Sequence, residues 1–115
     1  MNAAFNQFRE LTWVELTLWA GKKIVSEGRE CYQRKEVRQL SLIKTGGILA
    51  WVEAEELFAT QVEYDQGDFY SECTCNPIEN TCMHSIAVII EFIVHLKKKI
   101  DLPLAKSNDE RFFLL

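Results

Sequence analysis

Cys73-Thr74-Cys75-Asn76-Pro77-Ile78-Glu79-Asn80-Thr81-Cys82-Met83-His84 is the stretch that decides this chain. Four metal-ligating side chains fall within twelve residues, as two close pairs with six residues between them. Zinc binds cysteine thiolate and histidine imidazole, and a site closed by four protein ligands is structural. The expectation is one structural Zn²⁺ held by Cys73, Cys75, Cys82 and His84. Sulfur-rich tetrahedral sets favour zinc, although iron shares the ligand type.

The alternatives are a disulfide, a reactive thiol pair and ordinary buried cysteines. A Cys73 to Cys75 bond would close a very small ring, and no signal peptide directs the chain to an oxidising compartment. Three of the four cysteines lie in the motif, whereas an extracellular framework wants pairing across the chain. The expected setting is therefore cytoplasmic and reducing. Cys31, remote in sequence in a charged helical stretch, reads as a small hydrophobe on the inner face of a helix.

Spacing constrains the local fold. Residues two apart in a strand are about 6.6 Å apart, but two sulfurs on one ion each lie only about 2.3 Å from it. The strand must therefore bend at Cys75, where Asn76-Pro77 supplies turn chemistry. Residues two apart on a helix face nearly opposite ways, so Cys82 should precede a helix and His84 should sit in its first turn, with Asn80 or Thr81 as N-cap. His95 returns to almost the face of His84 but is displaced by about 16 Å along the axis. It cannot share the ion and reads as a half-buried histidine with a polar neighbour.

Working outward, the chain reads as helix, sheet, zinc knuckle, helix. Leu11, Val14, Leu16, Leu18 and Trp19 are apolar at mixed spacing, and after Gly21 a polar helical pattern points Ile24, Val25, Cys31 and Tyr32 inward. These imply one or two N-terminal helices. Residues 37–44 alternate, with Leu40 and Leu42 on one face, and Gly46-Gly47 signals a two-residue hairpin before Ile48. Ala50, Val52 and Ala54 share the next face. A hairpin at Glu55-Glu56 returns through Phe58, Val62 and Tyr64, and a turn at residues 65–68 leads into a strand ending at the ligands. The fold class is α+β: N-terminal helices, an antiparallel meander of three to four strands, a zinc knuckle and a buried C-terminal helix.

That last helix is apolar around most of its circumference and should be the central packing element. Its apolar run, residues 86–96, is too short for a membrane span and carries Glu91. Lys97, Lys98 and Lys99 suit the negative pole of its dipole. The division is residues 1–20 as a helical segment, 21–99 as the zinc domain, and 100–115 as a linker and the start of a further helix. In the last segment, Ser107-Asn108-Asp109-Glu110 resembles a capping box before Arg111. An apolar end implies a longer polypeptide; the alternative is a tail folded back on the domain. At 115 residues, 48% hydrophobic and 26% charged, one soluble domain with its own core is expected.

Cys73-x-Cys75-x6-Cys82-x-His84, with a hairpin upstream and an apolar helix downstream, resembles the SWIM zinc finger over roughly residues 20–98. Gly28, Tyr32 and Val37 are similar to the family's glycine, aromatic and valine leading into the first strand. The chain departs from the family at Lys35, where a glycine usually ends the helix, and at Glu55-Glu56, where small turn residues are usual. The resemblance implies a noncatalytic module mediating DNA or protein interaction. Such fingers accompany bacterial Swi/Snf-like helicase ATPases, Mutator-like transposases, and some plant transcription regulators and ubiquitin-pathway proteins. The layout looks most like the N-terminal part of a Swi/Snf-like ATPase or a small SWIM protein. No nucleotide-binding motif occurs in the 115 residues, so any ATPase would lie beyond Leu115.

Charge separates the possible partners. Residues 45–96 carry nine acids and no Lys or Arg, a charge of −9, and the remainder carries +5, which together make the net −4. Phosphate binding needs a positive surface, so the sheet and knuckle are poor DNA surfaces. A basic patch from Lys22, Lys23, Arg29, Arg34, Lys35 and Arg38, extended by lysines 97–99, is interleaved with Glu27, Glu30 and Glu36 and reads first as a solvated face. The expected function is protein docking, to a partner or to following domains of the same chain, through the acidic sheet or exposed aromatics such as Trp51. Weak DNA binding through the basic helix is the alternative. Catalysis is not expected, because the motif fills every position that a catalytic zinc leaves open.

Overall fold

A computed structural model describes residues 4–76 and 81–115. Three helices precede the sheet: α1 (Ala4–Arg9), α2 (Trp13–Ala20) and α3 (Lys22–Gln33). The first has only six residues and no periodic signal, so the sequence pattern passes over it. Its Phe5 and Phe8 nonetheless meet Phe92 edge-on, with ring centroids 5.7 and 5.2 Å apart. α2 opens with a full capping box: Thr12 Oγ1 accepts the Glu15 N–H at 3.2 Å, and the Glu15 carboxylate accepts the Thr12 N–H at 3.3 Å. Gly21, at φ 91°, turns the chain directly into α3.

α3 buries Val25, Gly28 and Cys31, a stripe at three-residue spacing that faces the last helix. It ends in a Schellman motif. The Lys35 N–H reaches Tyr32 O at 2.9 Å, the Glu36 N–H reaches Cys31 O at 3.4 Å, and Lys35 takes φ 59°. The glycine expected near this position is replaced by a lysine that adopts the left-handed conformation itself.

Four strands follow as an antiparallel meander in the order β1 (Val37–Leu42), β2 (Ile48–Glu53), β3 (Leu57–Asp65) and β4 (Asp68–Cys73). In β1 a bulge between Arg38 and Ser41, with Gln39 at φ 50°, breaks the alternation, so that Val37, Leu40 and Leu42 all join the core. The first hairpin is not the two-residue turn expected from Gly46-Gly47. Ile43 pairs with Gly47 at 2.8 Å around Lys44-Thr45-Gly46, and Gly46 takes φ 109°. This is the three-residue loop closed by a left-handed residue. Gly47 serves a different need, since a Cβ there would lie 2.6 Å from Glu63 Cγ and 2.7 Å from Val62 O. The β2–β3 connection is the three residues Ala54-Glu55-Glu56 between the paired Glu53 and Leu57, so Ala54 falls in the turn and not on the strand, and the β3–β4 turn at Gln66-Gly67 has both residues at positive φ.

Alternation puts Ile48, Ala50, Val52, Thr60 and Val62 on the inner face, all fully buried. Helix α4 (Met83–Lys97) lies across them and contributes Ile86, Ala87, Val88, Ile89 and Phe92. α3 packs against its other side. The approach is close at Gly28, where a Cβ would lie 2.5 Å from Ile86 Cβ and 2.9 Å from Met83 O. The N-cap of α4 is Cys82 rather than Thr81, and Asn80 lies outside the described residues.

The last segment returns to the domain. Residues 103–105 run parallel to the free edge of β1, with Leu42 N–H to Pro103 O at 2.8 Å and Ala105 N–H to Leu42 O at 2.7 Å. α5 (Glu110–Leu114) then sits on the outer face of the sheet, with Asp109 rather than Ser107 as its N-cap. Its Arg111 is buried and donates to the carbonyls of Gln39 and Leu49 and to Ser41 Oγ. Phe113 and Leu114 remain exposed.

Candidate metal centre

β4 ends at Cys73, the chain turns at once with the Asn76 N–H returning to Cys73 O at 3.0 Å, and Cys75 lies in the bend. Asn76 takes φ 50°, a conformation asparagine tolerates. On the far side, Cys82 caps α4 and His84 stands in its first turn. The Ser71 hydroxyl donates to Thr81 Oγ1 at 2.8 Å, tying the second pair's approach to β4. The ligand atoms of Cys73, Cys75, Cys82 and His84 consequently all lie within 4.8 Å of one another. Three of these residues are buried and Cys75 is half-buried.

The separations suit one ion. Ligands about 2.0–2.3 Å from a tetrahedral metal are roughly 3.5–3.8 Å apart. His84 Nδ1 lies 3.6 Å from Cys73 Sγ and 3.8 Å from Cys82 Sγ. Nδ1 is thus the nitrogen turned toward the sulfurs. Nε2 is buried and has no hydrogen-bond partner among the described residues. The ring is held instead by Phe58, stacked on it at 4.4 Å with planes 24° apart.

Without a cation the three thiols titrate very differently. The Cys82 thiol is pulled down to about 3, first by the hydrogen bond with Cys73, then by His84 and by the Ser85 hydroxyl and N–H. Cys73, which shares that hydrogen bond and is buried, is pushed up despite Thr60 Oγ1 at 3.2 Å. Cys75 rises to about 11 through burial and the charge at Cys82. One negative charge is therefore accommodated and two more are resisted. A cation bound among them would favour the thiolate form of all three.

Phe58 and Thr60 support the cluster, but the sequence motif does not reveal them. Their signal was available in the alternation of β3, which places residues 58 and 60 on the face of Val62. Cys31 is buried, as expected of a small hydrophobe, and burial together with the Glu36 carboxylate raises its thiol to about 12. It is nevertheless within electrostatic reach of Cys82, because α3 packs along α4. His95 stands apart from the four and pairs with Glu91 O at 2.8 Å.

The six basic residues are all exposed but do not converge. Lys22 and Lys23 open α3, whereas Lys35 and Arg38 lie beyond its end, about 18 Å further along. Arg34 pairs with Glu36 at 3.1 Å and Glu30 at 4.0 Å, Arg38 with Glu53 at 3.9 Å, and Arg29 sits 5.5 Å over the Trp13 ring. Glu36 is held below its ordinary range: burial pushes it up, but the bonds from Arg34 and Cys31 outweigh that. Trp51, expected as an exposed aromatic, is half-buried in β2.

Fold and cluster together define an α+β protein with a zinc-finger-like Cys₃His site. Compared with known protein families, curated proteins and solved structures, the chain finds no match. Among the described residues no helix is long and apolar enough to cross a membrane.

Proposed function

We propose that the chain is a SWIM-like zinc finger, a noncatalytic module in which one Zn²⁺ ties the end of β4 to the start of α4 and fixes a small domain for docking to another protein. The observation that carries this reading is the convergence of three sulfurs and His84 Nδ1 across the strand-to-helix connection. The four donors fill a tetrahedral set, so no position is left for substrate or activated water. Docking is favoured over phosphate binding by the absence of Lys and Arg from residues 45–96 and by the pairing of Arg34 and Arg38 with carboxylates. The SWIM resemblance adds a helicase-like ATPase, in the same chain or as a partner, as the setting.

Elemental analysis of undenatured protein should find one zinc per chain, and Cys82→Ser should lose metal and thermal stability together, because binding and folding are coupled. Native protein without metal, or metal lost with stability unchanged, would end the reading. Weak DNA binding is the second reading, favoured by one observation: Lys35, Arg38 and Lys98 line one groove, against the single acid Glu91. Duplex binding with a steep salt dependence, abolished by charge reversal at Lys35 and Arg38, would put it first.

A further inference from the structure

α4 carries more apolar surface than the fold uses. Ile93 and Val94, on its later turns, are only half-buried, and with Ile90 they form one wall of a groove of about 330 Å³. Leu11, Trp13 and Leu16 form the other wall. α2 continues the apolar surface outward, with Trp13, Val14 and Leu18 exposed at 51%, 68% and 82%. Trp13 lines both the groove and this outer ridge.

The charge that lines the groove itself is positive, while the acids beside it, Glu10 and Glu15, lie outside the lining. Among the described residues Lys97 is the one charged residue lining it, and the Arg29 guanidinium rests over the Trp13 ring. Glu15, the acid of α2, has its carboxylate engaged in the Thr12 cap. We propose that this groove is the docking surface, and that it takes an amphipathic, acidic segment of a partner protein, apolar anchors between α2 and α4 and carboxylates against Lys97 and Arg29. Helices that lay one apolar face into such a groove are a recurring mode of recognition. The proposal rests on the docking reading above and names its surface.

A second copy of the chain fits less well. An isologous contact would bring both copies' Arg29 and Lys97 into one interface, and like charges brought together oppose association.

The test uses the full zinc-loaded chain and two synthetic amphipathic peptides with identical leucine positions, one with glutamate and one with lysine on the polar face. The glutamate peptide should bind saturably and shift the amide resonances of Trp13, Ile93, Val94 and Lys97. The lysine peptide should bind at least tenfold more weakly, and Lys97→Glu, with an otherwise unchanged spectrum, should narrow or reverse that preference. Equal binding of both peptides, no binding of either, or a concentration-dependent dimer protecting the same residues would overturn the proposal. Shifts on the sheet's outer face would remove this groove but leave docking standing, whereas failure to load zinc would remove the reading beneath both.

Discussion

Two clamps hold this chain, and they are built on opposite principles. On the inner side, the Cys₃His cluster joins β4 to α4 using residues no more than eleven positions apart. On the outer side, Arg111 joins the C-terminal segment to the sheet through partners 62 to 72 positions away. The first is a set of three thiols and an imidazole, of which only Cys82 ionises readily and Cys73 and Cys75 are raised by their surroundings, close enough together to hold one cation. The second carries its own cation, already neutralised by Asp109 at 2.8 Å. One clamp should therefore depend on what the medium supplies, and the other on the chain alone.

The largest effect should come from chelation. With zinc bound as proposed, removing it takes away the bonds that tie the end of β4 to the first turn of α4, a loss of roughly 5 kcal/mol or more. Hydrogen exchange should show the damage spreading from β4 and the start of α4, with the amide of Leu42, bonded to Pro103, protected until the domain itself opens. Equal loss of protection at both ends on chelation would show that the clamps are not separate.

Arg111→Met is the converse experiment. It retains an extended apolar side chain but removes the guanidinium bonds to Asp109, Ser41 Oγ and the Gln39 and Leu49 carbonyls, leaving Asp109 with only the N–H of residue 111. A buried charge pair broken on one side costs about 3–5 kcal/mol, and partial exposure of Asp109 places this case near the lower figure. Metal content should stay at one per chain. pH supplies an independent check, because the hydrogen bond from Arg111 holds the Asp109 carboxyl below its ordinary range. That contribution is fully present above the ordinary carboxylate pKa and disappears as pH falls through the lowered one. Arg111→Met should therefore flatten the acid limb of the stability curve, and an unchanged limb would show that the pair contributes nothing.

The same contrast governs what the sequence made legible. The metal cluster could be read because its chemistry is local: the bend at Cys75 and the helix start at Cys82 follow from ligand spacing alone. The hairpins were legible from alternation and glycine, yet the bulge at Gln39 was not, because nothing about glutamine announces a positive φ. Arg111 gave no signal, since the Gln39 and Leu49 carbonyls and Ser41 Oγ that it binds are brought near only by the tertiary fold. The proximity of Cys31 to Cys82 was hidden likewise, and so was the reason for Gly28. The resemblance noted a glycine there, but only the packing of α3 on Met83 and Ile86 explains it.

The smallest effect concerns the join between the two kinds of information. The departure at Lys35 put the end of α3 in question, but the Schellman bonds form with lysine in the left-handed conformation. A non-glycine residue there costs about 1 kcal/mol, so Lys35→Gly should raise stability, offset in part by the freedom glycine adds to the unfolded chain. The net expectation is a gain of about 0.5–1 kcal/mol in denaturant unfolding with metal content unchanged. Because Lys35 is exposed, no packing is lost to confuse the result. A loss of stability would show that the Lys35 side chain contributes more to the fold than its left-handed backbone costs.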